Sequence, residues 1–356
     1  MRILVVQTSI LKCDNTHFIH AAIKNFINEL ASFGHEVKIT GSILNSGEAE
    51  INYTTIDSKK VLEIQDFYNG YGRCVSYFLA FFKSIFKIGK FDFIYVFLPG
   101  NYPFILCLAA LLLRRNYAIY LRVGQNAELF RYKFLYRHAL FGFATGKKLN
   151  DLLSEFTSSE EVIPLLDFPQ KFIYRYTCNE NLINVIFVGR LTQLKGIDVL
   201  LKAFSASEIK TLPIKLHLVG DGDFKIKTDA ESMPNVQLHG VISDRRELFG
   251  LLHQCDIFCL PSLDEGFPRV LYEAAFSKCV ILTTFVGSIE SMMLENENCL
   301  KLRCGSASDI IEKIKYLFNN DELIVKFKER AYKFYLNKYK SISDTHASQF
   351  NKTLLK

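Results

Sequence analysis

The stretch that decides the fold is residues 261–290, PSLDEGFPRVLYEAAFSKCVILTTFVGSIE. A buried strand is predicted just before it at 255–260, and Pro268 stands where a helix can begin, because a first-turn residue loses nothing by lacking an N–H. A second strand is predicted at 279–283 and ends before Gly287. Strands alternating with helices indicate a parallel α/β sheet, and polar side chains at the strand ends mark the edge where such sheets bind ligands.

The same alternation extends in both directions along the chain. Further strands are predicted at 2–6, 37–40, 91–99, 117–123, 183–188, 214–219 and 236–238. Helices are predicted at 18–33, 61–88, 103–113, 127–141, 244–253, 308–318 and 321–338. A chain of 356 residues is too long for one compact core. We therefore predict two Rossmann-like, doubly wound domains at 1–170 and 171–339, divided by a turn-rich stretch at 162–172 and followed by a polar–apolar tail at 340–356.

Composition narrows the class of protein. The chain is 49% hydrophobic and 22% charged, as expected of a folded globular protein. Its net charge of +6 suits an anionic ligand or an anionic membrane surface, and we expect no nucleic-acid partner. The nine cysteines are scattered, which favours buried thiols in a reducing compartment. Residues 1–6 predict a strand rather than a signal peptide, and the longest apolar run, 104–113, is too short to span a bilayer. We expect a cytoplasmic protein, either soluble or peripheral on the inner face of the plasma membrane.

Two acids and two cations are the main candidates for chemistry. Glu265 and Glu273 flank the start of the helix at 268, where unpaired N–H groups favour a phosphate. Alone, such a pair is more often a helix cap and a solvated residue. Arg190 and Lys195 follow the strand at 183–188 and can neutralise a diphosphate. Together these side chains suit a ligand with a charged centre and polyol ends, as in a nucleoside-diphosphate sugar.

Other polar groups favour structural roles. Residues 221–223 (DGD) are the only DxD-like match for a metal motif, and a tight turn after a strand is the favoured interpretation. His17 and His20 are spaced i, i+3 on the first predicted helix without a visible third ligand, so a surface or cleft-edge pair is favoured over a metal site. His217 and His239 are interpreted as hydrogen-bonded core residues.

Segment 71–90 combines aromatic residues with Lys83, Lys87 and Lys90. It could lie on an anionic membrane with its lysines at headgroup level. The alternative, which the sequence favours, is a helix that covers the sheet and turns its lysines to solvent.

Four motifs in this order resemble the GT4-type retaining glycosyltransferases of GT-B fold (glycosyl transferases group 1). They are VGRLTQLKGID (188–198), LVGDG (218–222), LPSLDEGFPRVLYEA (260–274) and TTFVGSIE (283–290). The resemblance implies two Rossmann-like domains facing across a cleft, an acceptor-binding N-terminal domain and a nucleotide-sugar-binding C-terminal domain. It also implies that a C-terminal helix at about 340–356 packs back on the N-terminal domain. It also implies metal-independent catalysis without a cofactor.

The resemblance assigns roles to residues. It implies that Arg190 and Lys195 bind the donor diphosphate and, with Glu265 facing the transferred sugar, form the catalytic group. It implies that Glu273 holds the ribose hydroxyls. The implied donor-binding set is Gly189, Arg190, Lys195, Gly266, Phe267, Pro268, Arg269, Val270 and Glu273.

The N-terminal half departs from the family pattern. The loop expected after the first strand, QTSILKCDNTH (7–17), has no glycine, and the customary histidine is replaced by the run at 122–126. Arg122, Gln125 and Asn126 are therefore acceptor-side candidates, with turn formation as the equal alternative.

The function that these residues and the resemblance predict is transfer of a hexose-type sugar from a nucleotide-diphosphate sugar such as a UDP-sugar, and the resemblance implies that configuration is retained. The expected acceptor is a glycan or lipid-linked hydroxyl in bacterial-type surface polysaccharide or lipopolysaccharide synthesis. Two alternatives remain: a nucleotide-sugar epimerase or phosphorylase of the same fold, and a catalytically inactive subunit of a glycan-assembly complex. A dehydrogenase is disfavoured because no G-x-G-x-x-G follows the strand at 2–6.

Overall fold

The computed structural model describes residues 1–45, 53–64, 73–122, 130–162, 182–265, 268–287, 289–291, 293–341 and 345–356. The chain divides into two compact units. Unit 1 comprises Met1–Asp167 together with Asp344–Lys356, and unit 2 comprises Phe168–Ser343.

Unit 1 is built on one mostly parallel sheet. Its strands are β1 (Arg2–Cys13), β2 (Thr16–His20), β3 (Glu36–Asn45), β4 (Tyr53–Ile56), β5 (Phe93–Leu98), β6 (Tyr117–Leu121), β7 (Gly142–Thr145) and β8 (Ser159–Val162). They are ordered β4-β2-β1-β5-β6-β7-β8, with β3 paired to β1. Among the described strands, the antiparallel pairings are those of β2 with β1 and with β4. The helices are α1 (Ala21–Ser32), α2 (Arg73–Ile88), α3 (Asn101–Leu112), α4 (Phe130–His138) and α5 (Lys147–Ser154).

Helices cover both faces of this sheet, and strands such as β5 and β6 are therefore buried along their whole length. Helices α2 to α5 contribute to the core on one face, and α1 to the core on the other. The C-terminal helix (His346–Leu354) also packs on the face of the sheet that α1 covers. Phe350 lies 4.3 Å from the Tyr95 ring, and His346 shares a 2.6 Å hydrogen bond with the Tyr95 hydroxyl.

Three predictions for unit 1 are wrong. The expected loop at 7–17 is instead a hairpin, because β1 continues to Cys13, turns at Asp14 in the left-handed region (φ 51°) and returns as β2. His17 and His20 therefore lie on a strand, where a spacing of three points side chains to opposite faces, and not on a helix. The helix expected from residue 61 begins at Arg73, and Val61 instead bridges to β3.

Unit 2 contains a second sheet in which every described pairing is parallel. Its strands are β9 (Ile183–Val188), β10 (Ile214–Val219), β11 (Val236–Gly240), β12 (Ile257–Leu260), β13 (Val280–Thr284) and β14 (Leu300–Leu302). Its helices are α6 (Ile197–Ser205), α7 (Ser207–Lys210), α8 (Phe224–Glu231), α9 (Arg245–Gln254), α10 (Val270–Phe276), α11 (Ala307–Phe318) and α12 (Asp321–Ser341). Helix α13 (His346–Leu354) then completes unit 1.

The strand order in unit 2 is β11-β10-β9-β12-β13-β14. From β9 the chain moves outward through β10 to β11, and it then crosses back to place β12 on the other side of β9. The order therefore reverses between β9 and β12, and the crevice outside the carboxyl ends of these two strands is where open α/β sheets bind ligands. The predicted α/β fold with two Rossmann-like sheets is confirmed.

Candidate functional site

The loops that follow β9, β12 and β13 are joined at the carboxyl edge of the unit 2 sheet. The Leu263 N–H, in the loop after β12, donates to the Leu194 carbonyl after β9 at 2.9 Å. The Thr284 hydroxyl, at the end of β13, donates to the Ser262 carbonyl at 2.6 Å. These bonds fix the three loops against one another at the reversal point of the sheet.

Two glycines allow the loops to approach closely. A Cβ on Gly196 would lie 2.1 Å from the Pro261 carbonyl oxygen, and one on Gly287 would lie 1.7 Å from the Glu265 carbonyl oxygen. Both glycines have left-handed φ values, +70° and +59°, which disfavour a side chain in any case. The backbone that carries Glu265 is thus held from one side by the turn after β13.

Lys195 and Glu265 meet at this point. The Lys195 ammonium lies 2.5 Å from Oε1 of Glu265, and the Ser262 hydroxyl donates to the same oxygen at 2.9 Å. The Glu265 side chain is only 6% exposed and that of Lys195 20% exposed, so water screens the pair weakly. The two predicted site residues are brought together by the loops on either side of the reversal point.

Arg190 and Gly189 lie on the first part of the same β9 loop. Gly220, in the loop after β10, packs closely against the Gly189 backbone. The Gly189 N–H donates to the Val219 carbonyl at 2.9 Å. The Arg190 side chain is exposed. The predicted cations are therefore both on the β9 loop, with Lys195 turned inward and Arg190 turned to solvent.

Glu273 lies in α10 and contacts a partner that the sequence did not suggest. Nη2 of Arg245 lies 2.7 Å from Oε1 of Glu273, with the side chains 19% and 13% exposed respectively. The Arg245 guanidinium also stacks over the Phe249 ring at 5.0 Å. Glu273 is thus neither solvated nor part of a helix cap. In the sequence, the one indication of this contact was an arginine in the first turn of α9, a position where the helix dipole disfavours a cation.

The remaining donor-set residues surround the start of α10. Pro268 is buried, Arg269 is exposed and forms the N-cap, and Val270 is the first helical residue. The helix therefore begins two residues later than predicted. Gly266 and Phe267 lie outside the described residues, so their predicted roles remain predictions.

The DGD turn and the histidine pair have structural partners. Asp223 caps α8 by accepting from the Lys225 N–H at 2.8 Å, and Asp221 pairs with Lys227. His217 and His239 share a 2.9 Å hydrogen bond, and burial is the main cause that lowers the pKa of His217 to about 4.

Within the described ranges, no group of three or more His, Cys, Asp or Glu side chains is arranged to hold a metal ion. His17 contacts Glu63 at 2.6 Å and Ser58 at 3.2 Å, while His20 caps α1 by accepting from the Ala22 N–H. These partners account for the two histidines.

The acceptor-side candidates fall in unit 1. Arg122 follows β6, and its guanidinium lies 5.1 Å from the centre of the Phe97 ring. Its backbone carbonyl accepts from the Thr145 hydroxyl at 3.0 Å. Gln125 and Asn126 lie outside the described residues, so an acceptor role for this group remains a prediction.

Comparison with known proteins was made on both sequence and structure. Residues 171–334, just under half of the chain, match the family model described as Glycosyl transferases group 1. An uncharacterised glycosyltransferase of Methanocaldococcus jannaschii is 29% identical over 141 residues, which are 39% of this chain and 39% of that protein. The capsular polysaccharide biosynthesis glycosyltransferase CapM of Staphylococcus aureus is 27% identical over 156 residues, 42% of this chain and 40% of CapM. The chain thus matches about two fifths of the length of these relatives.

Among solved structures, HepE of Anabaena in complex with UDP and glucose is similar over the whole chain. The TM-score is 0.67 at 14% identity, with 100% of this chain and 98% of HepE covered. Likeness at this identity establishes the fold alone. Unit 2 is therefore similar to the glycosyl transferases group 1 family, and the chain has the fold of GT-B glycosyltransferases.

Proposed function

We propose that the protein transfers a sugar from a nucleoside-diphosphate sugar to an acceptor hydroxyl. The observation that carries this proposal is the Lys195–Glu265 contact at the reversal point of the unit 2 sheet, between the loops after β9 and β12. That position is where a parallel sheet binds a nucleotide. The family match over 171–334 and the complex of HepE with UDP and glucose support the same class of donor.

Charge stabilisation of the departing diphosphate is the first task of such a site. A lysine ammonium has three donors, so Lys195 can hold Glu265 with one and phosphate oxygens with the others. Arg190 stands exposed on the same loop and offers a planar fork to a second phosphate. We assign both cations to the diphosphate, and we propose that they act without a metal ion.

Recognition of hydroxyls is the second task. Lys195 and Ser262 both contact Oε1 of Glu265, and Arg245 contacts Oε1 of Glu273. In each carboxylate the other oxygen, Oε2, has its own lone pairs and can accept from a sugar hydroxyl. We assign Glu265 to the transferred sugar and Glu273 to the ribose, with the phosphates between them.

The reaction and the acceptor are assigned at the level of class. We propose that configuration at the anomeric carbon is retained, as in GT4-type enzymes, with the acceptor hydroxyl attacking on the side from which the diphosphate leaves. The proposed acceptor is a glycan or lipid-linked hydroxyl in surface polysaccharide or lipopolysaccharide synthesis, reached from the cytoplasmic side of the membrane. Relatives named for such chemistry include CapM and, among solved structures, a lipopolysaccharide outer core galactosyltransferase.

The test is donor turnover. The protein is incubated with a panel of UDP-, GDP- and ADP-sugars in EDTA, and release of the nucleoside diphosphate is measured with water or a mixed glycan pool as acceptor. We expect one donor class to be cleaved slowly, and Lys195→Met to reduce the rate at least tenfold, since a charged hydrogen bond to the leaving group is lost. The matched control is Lys278→Met, which removes a lysine from an ion pair with 43% and 40% exposed side chains elsewhere in unit 2. Equal rates for the two variants, or no cleavage of any donor, would contradict the assignment.

A further inference from the structure

Several large apolar side chains of helix α2 are exposed to solvent, which is unexpected for a helix that only covers a sheet. The positions that are at most 1% exposed recur every four residues and three of them are small: Ser76, Ala80, Ser84 and Ile88. The exposed apolar positions also recur at helical spacing and are 45% to 79% exposed: Val75 (47%), Phe78 (62%), Phe82 (45%) and Phe86 (79%). Phe81 and Ile85 pack against the core as expected, but the stripe at 75, 78, 82 and 86 departs from the usual burial pattern of an amphipathic helix.

The exposed side chains lie at helical spacing on one stripe of α2, which we call the α2 aromatic row (Val75, Phe78, Phe82 and Phe86). The rings of Phe78 and Phe82 are 4.7 Å apart, so they contact each other. Single exposed apolar residues are common on soluble proteins and need no explanation, but a contiguous row does. The small residues beneath it let α2 pack closely on α3, which accounts for the inner face but not for the outer one.

Charge around the row selects its partner. Lys83 and Lys87 each follow a phenylalanine of the row by one position and both are exposed, and the Lys87 ammonium also donates to the Glu63 carbonyl. Arg115 donates to the Gly89 carbonyl at 2.6 Å, which brings another cation to the C-terminal end of α2. Along the sequence, residues 67–150 contain twelve lysines and arginines and two acids, and further acids stand at 63, 66 and 151 on either side of this basic segment. One of those two acids, Asp92, is paired with Arg2.

We propose that the α2 aromatic row is a docking surface for an anionic phospholipid membrane. The helix lies in the plane of the interface, with its phenylalanines about 5–10 Å into the boundary between headgroups and acyl chains and its lysines at the phosphates. With 16 residues, α2 is about 24 Å long and shorter than the hydrocarbon core, so it can lie on the bilayer but not cross it. No helix among the described residues is both long and apolar enough to span a membrane.

A second copy of this chain fits the row less well than a lipid surface. Pairing two such rows face to face would bring the lysines of both copies together, and like charges in contact disfavour association. Membrane docking does not depend on the proposed function. Its consequence, that the enzyme meets a lipid-linked acceptor at the membrane, rests on the proposed function.

The absence of tryptophan from the sequence supplies the probe. In the 356-residue chain with Phe82→Trp the only indole is on the row, and its emission reports contact with lipid. With vesicles of phosphatidylcholine and phosphatidylglycerol at 3:1 we expect a blue shift, and quenching when the acyl chains are brominated. With pure phosphatidylcholine we expect at least a tenfold weaker response. If anionic vesicles leave the emission unshifted, the proposal is overturned. The same holds if an acidic protein shifts the emission and the vesicles do not.

Flotation of the same vesicles tests the contribution of each group. Phe86→Ser, at the most exposed position, is expected to weaken binding at least fivefold, and Lys83→Gln with Lys90→Gln about fivefold per lysine. The matched control is Phe33→Ser, a phenylalanine 41% exposed at the end of α1, over the other face of the same sheet. If Phe33→Ser and Phe86→Ser reduce flotation equally, the row is not the docking surface. Flotation is scored without nucleotide, so its outcome is separate from that of the donor assay.

Discussion

Gly287→Ala is the substitution through which the geometry of the site can be tested most sharply. The new Cβ would lie 1.7 Å from the carbonyl oxygen of Glu265 and 2.8 Å from its carbonyl carbon. The first distance is roughly 1.5–2 Å short of a normal nonbonded contact. Because the atom in the way belongs to the backbone and not to a flexible side chain, either the turn after β13 or the loop that carries Glu265 must move.

The magnitude can be separated into two parts. A side chain in the left-handed region costs about 1–2 kcal/mol, of which the lower entropy of the unfolded alanine chain returns about half. Gly305, at φ +72°, has no atom within 4 Å of its would-be Cβ, so Gly305→Ala measures this part alone. Displacing packed backbone adds about 1–3 kcal/mol for Gly287→Ala. For a unit of this size the added destabilisation lowers Tm by roughly 2–12 °C relative to Gly305→Ala.

The assay is thermal unfolding of both variants beside the wild type, followed by titration with a nucleoside diphosphate. We expect Gly287→Ala to be the less stable variant and to bind nucleotide more weakly, since the Glu265 loop has moved away from Lys195. Gly305→Ala should bind as the wild type does. If the two alanine variants unfold at the same temperature, the close approach of the β13 turn to Glu265 does not exist in solution.

Two further predictions concern ion pairs and acid. Combining Arg245→Met with Glu273→Gln in a double-mutant cycle should give a coupling of about 1–2 kcal/mol in the free energy of unfolding, because both side chains are mostly buried. Burial lowers the pKa of His346 to about 3, and that of His217 to about 4, below the ordinary value of 6.5. The unfolded chain therefore takes up these protons first, so the free energy of unfolding is fully retained above about pH 6.5 and falls as the pH drops towards 3. His346→Gln should flatten that fall, as measured by urea unfolding from pH 7 to 4.

Each of these has a control. The cycle is repeated on Lys278 and Glu329, whose exposed ion pair should couple by about 0.2–1 kcal/mol. A coupling for Arg245 and Glu273 no larger than this would mean that their contact is not formed. For the acid series, a pH dependence that is unchanged in His346→Gln would show that this histidine is not buried and neutral.

The sequence predicted the parts of the fold that depend on local pattern. The apolar run at 2–6 marked a strand buried on both faces, and the structure has it; the strand predicted at 183–188 is also present, with its central residues buried and its ends partly exposed. The hairpin of β1 and β2 was missed because its return strand is held by β4, more than 30 residues further on. Helical periodicity at 71–90 identified α2, but it carries no information about which stripe faces the protein, and the phenylalanines were not expected outside.

The candidate site shows the same limit. Lys195 and Glu265 could be placed after the carboxyl ends of two parallel strands from the α/β pattern alone, and the sheet order of the structure makes those strands neighbours and joins the two side chains. Arg245 could not be placed, because its contact with Glu273 depends on where α9 and α10 begin relative to each other, a matter of tertiary packing. Gly287 was identified only as a turn residue, and its contact with the Glu265 backbone became visible only in three dimensions.

The central claim is that unit 2 holds a nucleotide-sugar site, and calorimetric titration tests it most directly. The ligands are the diphosphate that binds best among UDP, GDP and ADP, and the nucleoside that corresponds to it. Lys195→Met should weaken the diphosphate about tenfold and leave the nucleoside unaffected, because Lys195 is assigned to the phosphates. Glu273→Gln should weaken both by a similar factor, because Glu273 is assigned to the ribose; each loss is about 1.4 kcal/mol. Diphosphate binding that is absent from the wild type, or unchanged in both variants, would contradict the account.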